Sequence, residues 1–289
     1  MSGQTLSVFQ SLWAMEDLPW RSAGPWSLTE RVERIASAGF AGLAVDLGAR
    51  QAPTAEAIAP LARAAGLRTL VFAFVTPQRP LADALRYAVD VDAELIVVCG
   101  QIFPLDPGAG GVEQATDTIR GWRDAAAAAG IAFQLETHRY TVTNDLGFTV
   151  ALLDAMPELA LAADLSHYVA GNELPDSSDP RVDCLIGRVL DRSGSLQGRV
   201  ATRGQIQVSP LFDQHRAAAE RFRAWWALGF ESWRRRSAGR DDLVFCCELG
   251  TTPYAITGPD GGQLSDRWAE ALLLKSWAEE LFAARRELP

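Results

Sequence analysis

Short apolar runs along the chain alternate with longer stretches in which apolar residues recur every three or four positions. This alternation of a buried-strand pattern with an amphipathic-helix pattern predicts repeated βα units. The first run is Leu6 to Leu12. Ser27 with Glu30 makes a capping-box signature ahead of the stripe Leu28, Val32, Ile35 and Ala36, and Gly39 stands where that helix would end. The cycle repeats with a strand from Gly42 to Asp46, a helix from Thr54 to Ala65 closed by Gly66, a strand from Arg68 to Val75 and a helix from Pro80 to Val89. Leu95 to Cys99 reads as a strand buried on both faces, followed by a helix from Val112 to Ala129 that stops at Gly130. Further strands are expected at Ile131 to Thr137, Leu159 to Asp164, Ser195 to Val200 and Leu243 to Leu249. The helices between and after them run over Thr143 to Met156, Pro180 to Asp191, Leu211 to Arg236 and Asp266 to Leu281.

Eight strands, each followed by a helix, in 289 residues predict an α/β fold, a (β/α)8 TIM barrel forming a single domain over 1–289. A doubly wound open sheet is the competitor, but its first turn is usually rich in glycine, and WAMEDLPW after the first strand has none. The PGAGG run ending at Gly111 lacks the GK[ST] ending of a phosphate cradle and reads as a loop.

Composition narrows the function. A net charge of −9 leaves no basic footprint for nucleic acid. No apolar run is long enough to span a membrane, and the N-terminus lacks a signal-peptide pattern, so a cytoplasmic protein is expected. Cys99, Cys184, Cys246 and Cys247 have no CxxC spacing; they read as reduced core thiols, three of them in apolar runs. The single lysine, Lys275, falls in the last helix, which leaves no barrel strand a Schiff-base nucleophile.

In such a barrel, chemistry collects at the C-terminal ends of the strands. The late strands end in Glu136-Thr137-His138, Asp164-Leu165-Ser166-His167 and Glu248-Leu249-Gly250. Each carboxylate taken singly could cap a helix or pair with arginine, but three gathered at one mouth repel one another unless a cation compensates. One divalent metal ion (Mn2+, Mg2+, Co2+ or Zn2+) is the economical resolution. His167, three residues after Asp164, is placed for function. His138 could equally orient a neighbour, and His215, at the start of the long helix, reads as a surface residue.

The runs LETH at 135–138, DLSH at 164–167, GRVATRGQIQV at 198–208 and ELGTTPYAI at 248–256 resemble the xylose isomerase-like TIM-barrel family of sugar phosphate isomerases and epimerases. The resemblance implies a metal held by Glu136, Asp164, Gln197 and Glu248, with His167 touching substrate oxygens. Gln197 is the departure: the chain reads QGRV where the family would place HGRV. Glutamine can ligate through its carbonyl oxygen, as a weaker donor than imidazole towards transition metals.

The implied activity is isomerisation or epimerisation of a sugar, keto-sugar or polyol by proton abstraction beside a carbonyl, with Glu136 and Glu248 as the acid/base pair. His138, Arg199 and Gln207 are candidate substrate-binding residues, Arg199 having the equal alternative of pairing with the carboxylates. Trp13 is a candidate wall against a sugar's C–H face. Trp225, Trp226 and Trp233 are expected to pack the long helix onto its neighbours or onto a second copy in a homo-oligomer. The partner is thus a small carbohydrate, with neither nucleic acid nor membrane. Two other readings stay open: a lyase or dehydratase acting on a keto-inositol or 3-keto-glycoside at the same site, and a catalytically silent sugar-binding barrel, which Gln197 permits. An endonuclease on the same barrel would want many histidines, and this chain has three.

Overall fold

All the predicted strands form, and they run parallel in chain order with the last hydrogen-bonded to the first, closing a barrel. The computed structural model describes residues 3–20, 24–76, 78–102, 111–237 and 241–284. The strands are β1 (Thr5–Ser11), β2 (Gly42–Asp46), β3 (Arg68–Val75), β4 (Leu95–Gly100), β5 (Ala132–Glu136), β6 (Leu161–Ala163), β7 (Ser193–Gly198) and β8 (Asp242–Cys247). The helices are α1 (Leu28–Ser37), α2 (Ala55–Ala64), α3 (Leu81–Asp90), α4 (Gly111–Ala128), α5 (Leu146–Ala155), α6 (Ser166–Gly171), α7 (Pro180–Leu190), α8 (Arg216–Arg236) and α9 (Arg267–Ala283). Ser27 and Glu30 form the capping box that the sequence announces. Most of the PGAGG run lies outside the described residues, and its last glycine opens α4. Among the described residues no helix is long and apolar enough to cross a membrane.

Side chains alternate across each strand, so the barrel has two apolar layers. One fills the lumen, where Phe9, Ala44, Leu70, Phe72, Leu95, Val97, Ala162, Val244 and Cys246 pack together. The other lies between strands and helices; Phe245, adjacent to lumenal Cys246, turns outward to meet Trp226 at 5.3 Å and Phe230 at 6.0 Å between ring centroids. Arg68 closes the bottom, donating to both oxygens of Glu94 at 2.6 Å and to Asp242 at 2.7 Å.

Trp225, Trp226 and Trp233 are buried against their own barrel, the first of the two placements expected for them. Two expectations change in the folded chain. His215 is buried rather than exposed: a 3-10 turn at Asp213–His215 tucks it under α8, with Nδ1 2.9 Å from the Ser209 carbonyl. Cys184 is exposed, while the other three thiols are in the core, and all four are free.

Gly42 shows how tightly the lumen is filled. A Cβ there would lie 2.2 Å from a Phe9 ring carbon and 2.4 Å from the Arg68 carbonyl oxygen, and the latter is backbone that cannot step aside. Gly42→Ala is therefore expected to lower stability by about 1–3 kcal/mol through overpacking, read as a lower urea midpoint at an unchanged slope.

Candidate active site

The period of two that fills the lumen also aims the mouth. Residues two further along from lumenal Ala44, Phe72, Val97, Ala162 and Cys246 are Asp46, Phe74, Cys99, Asp164 and Glu248. Glu136 pairs in register with Ala162 and Gln197 with Cys246, so both share that orientation. The result is a cavity of about 270 Å3 at the C-terminal end of the barrel. Asp46, Glu136 and Glu248 line it with Arg199 and His138, and Trp13, Phe72, Phe74 and Tyr254 supply aromatic walls beside Gly48.

Glu136, Asp164 and Glu248 converge, each offering an oxygen within 4.8 Å of the others. Arg199 binds two of them: Nε donates to Asp164 Oδ2 and Nη2 to Glu248 Oε2, both at 3.0 Å. Its guanidinium also lies 4.8 Å from the Tyr254 ring and 5.5 Å from that of Trp13. Burial alone would lower the Arg199 pKa, but Asp164 and Glu248 outweigh it and raise it above the usual value. The remaining oxygen of Asp164, Oδ1, accepts the Ser166 N–H at 2.9 Å, where α6 begins directly at the end of β6. Glu136 accepts a hydrogen bond from the Cys99 thiol at 2.6 Å.

Burial dominates the protonation of these groups. It raises Glu136 well above the usual carboxylate range, with the Glu248 charge adding to it. Burial pushes Glu248 up to about 8 against the opposing pull of Arg199. Burial raises Asp46 to about 6, although the Gly48 N–H works against it. The histidines move the other way: burial lowers His138 to about 4, and burial and the His138 charge lower His167 well below its usual value, so both imidazoles are neutral.

His167 is buried with neither ring nitrogen hydrogen-bonded, and its Nε2 lies 3.5 Å from Asp164 Oδ2. Its ring centroid is 3.8 Å from that of His138, which also lines the cavity. Gln197 is buried beside Glu136, yet neither its Oε1 nor its Nε2 reaches a partner in good hydrogen-bonding geometry. Gln207, in contrast, is turned to the backbone: its amide donates to the Gly250 carbonyl at 3.1 Å and its Oε1 accepts the Gly250 N–H at 2.7 Å. That pairing presses Gly250 against Trp13, where a Cβ would lie 2.1 Å from the indole, so Gln207 supports the wall instead of lining the cavity. Sequence reasoning missed Asp46, Cys99, Phe74 and Tyr254. Asp46 ends the second strand and was open to the same strand-end criterion as the late carboxylates; Tyr254 falls within ELGTTPYAI.

The donor set fits a divalent cation. Ionised Glu136, Asp164 and Glu248 against one guanidinium leave two negative charges in a buried site, and Gln197 Oε1 and the His167 nitrogens stand there without partners. Glu136 also groups with His138 and His167, each offering an atom within 4.8 Å of the others. Without a cation, folding favours protonated carboxyls. Between the ordinary value of 4.5 and about 8, Glu248 holds a proton in the folded chain that the unfolded chain releases. Stability of chelator-treated protein should therefore fall as pH rises through that window, and Glu248→Gln should flatten the fall, as followed by urea unfolding at several pH values. A wild-type profile already flat from pH 5 to 8 would contradict this.

No protein-family model matches the chain, and no curated protein matches it. Solved structures do. D-psicose 3-epimerase from Clostridium cellulolyticum H10, crystallised with D-tagatose, is 15% identical over 96% of this chain and 99% of its own, with a TM-score of 0.57. A xylose isomerase-like TIM barrel protein from Mycobacterium smegmatis in complex with magnesium is 15% identical over 98% of this chain and 99% of its own, with a TM-score of 0.60. The probable 3-DHS dehydratase AsbF from Bacillus anthracis is 14% identical over 98% of this chain and all of its own, with a TM-score of 0.58. The chain thus has the fold of the xylose isomerase-like TIM barrels.

Proposed function

We propose that this barrel is a divalent-metal-dependent isomerase or epimerase that acts on a sugar, keto-sugar or polyol by moving a proton beside a carbonyl. The observation that carries the reading is the pairing of Glu136, at the end of β5, with Glu248, just beyond β8. Both are buried, both line one cavity and both are raised in pKa. Two such carboxyls on different strands can take a proton from one face of a carbon and return one to the other. The sugar 3-epimerases among the structural neighbours support the same chemistry.

Glu136, Asp164, Gln197 and Glu248 would hold the metal. When bound, it would polarise the carbonyl and help keep the proton-abstracting glutamate ionised. The chain's own groups do the rest. One glutamate removes the C–H proton, leaving an enediolate, and the other, protonated, delivers a proton to the carbon. Neutral His167 offers an imidazole to a substrate hydroxyl, and Arg199 fixes the carboxylate of Glu248 through Nη2. Trp13 and Tyr254, edge to face at 5.2 Å, shield the cavity and give C–H groups an aromatic surface. The free thiols fit a reducing cytoplasm.

Two experiments test this. Elemental analysis of untagged protein, before and after chelator dialysis and Mn2+ addition, should return close to one equivalent per chain, and Gln197→His should retain or tighten it. No metal under either condition would move the protein to the sugar-binding reading. In a screen of ketoses and keto-inositols, Glu136→Gln and Glu248→Gln should each cost at least about 100-fold in kcat with circular dichroism unchanged. Turnover undiminished by Glu248→Gln would sink the acid/base assignment, and loss of water from the product would reassign the reaction as a dehydration.

A further inference from the structure

Each of the three converging carboxylates has a donor of its own. Asp164 takes Nε of Arg199 at 3.0 Å and the Ser166 N–H at 2.9 Å, and Glu248 takes Nη2 of Arg199 at 3.0 Å. Glu136 is served differently. Among the described residues, the Cys99 thiol is the one donor in good geometry to its carboxyl, with Sγ 2.6 Å from Oε2.

Strand register puts the thiol there. β4 and β5 pair with Val98 opposite Leu135, so the next step along both strands sets Cys99 beside Glu136. Cys99 is two residues beyond lumenal Val97 and shares its orientation into the barrel. The backbone of Glu136 is pinned separately: Thr143 Oγ1 donates to the Glu136 carbonyl and accepts the His138 N–H at 3.0 Å. The least restricted torsion of a glutamate is its last, which turns the carboxyl group, and a donor to one oxygen fixes it.

A thiol suits the position on two counts. Apolar Val97 and Phe72 lie in the lumen beneath it, and a thiol packs like a small apolar group while still donating a hydrogen bond. It is also neutral. A lysine or arginine at residue 99 would offset the charge of Glu136, whereas a thiol orients the carboxylate and leaves its charge to attract a cation.

We infer that Cys99 is a positioning residue: its thiol holds Oε2 of Glu136, sets the angle at which the carboxyl faces Asp164 and Glu248, and leaves Oε1 for the cation. This rests on the metal site proposed above and adds to it a side chain that touches neither metal nor substrate.

The test uses the full chain as wild type, Cys99→Ser, Cys99→Val and Glu136→Gln. The S–H stretch falls in an infrared window where proteins otherwise absorb little. One S–H band, absent from Cys99→Ser, should move to higher frequency in Glu136→Gln, whose amide is the weaker acceptor. The second readout is Mn2+ affinity of chelator-treated protein, followed by the magnetic resonance signal of the free ion, with metal-free urea midpoints measured alongside so that lost stability is not read as lost affinity. Cys99→Ser, which keeps a donor, should stay within about three-fold of wild type, and Cys99→Val, which fills the space without one, should bind about 10–100-fold more weakly. An S–H band unmoved by Glu136→Gln overturns the inference, as does wild-type Mn2+ affinity in Cys99→Val. A band that moves in a protein that takes up no Mn2+ would support the contact and defeat the metal reading alone.

Discussion

The buried ion pairs of Arg199 are the interaction on which the mouth of the barrel depends. Three carboxylates from the ends of β5, β6 and β8 approach one another where water is scarce, and such an arrangement would be driven apart by repulsion or neutralised by protons. The guanidinium lies between Asp164 and Glu248 with one hydrogen bond to each, which fixes their separation and leaves Glu136 for the Cys99 thiol. Removing one member of a buried pair strands the other, at a cost of about 3–5 kcal/mol, so the triad is also a constraint on the fold. Because the planar fork matches carboxylate geometry and stays charged, lysine could not take its place on the same terms.

Around this centre the packing is arranged to leave room for the polar groups. Gly250 has no side chain, which lets the Trp13 indole come over β8, and Gln207 ties that glycine down through both of its amide atoms. Trp13 and Tyr254 then cover Arg199 with π faces, a contact that stabilises a cation while keeping water away from it. The aromatic shell and the charge network thus depend on each other: the shell lowers the local dielectric, which strengthens the ion pairs, and Arg199 holds the carboxylates apart beneath it.

Much of this was legible in the sequence because a barrel converts strand periodicity into position. Once Leu95 to Cys99 or Leu243 to Leu249 is read as a strand, the residue at its C-terminal end must face the mouth, and Glu136, Asp164 and Glu248 follow from that rule alone. Asp46 obeys the same rule; it went unused because no motif marked it. Other features were not legible for physical reasons. His215 entered the core through a 3-10 turn with no local signature, and the orientation of Gln207 depends on a contact with Gly250 some forty positions away, set by tertiary packing. The tryptophans of α8 show the same limit: spacing places them on one face, but only the fold reveals that β8 lies beneath it.

Gln197 is the most informative residue because it can be understood only through Arg199. A histidine at that position would add a good ligand without adding charge, so the electrostatic case for a cation is the same with glutamine there. Compared with an imidazole, its side chain has less donor strength but offers a carbonyl oxygen suited to hard ions such as Mg2+ and Mn2+ over a softer metal. Glutamine also brings an amide N–H2 group beside Glu136, one of the carboxylates of the cluster. When no cation is bound, that amide and the protons on Glu136 and Glu248 can share the burden of neutralising the site. On the proposed metal-bound reading, the oxygen end would serve instead. An amide offers both a donor and an acceptor at one position, and a site built around a permanent guanidinium has use for both.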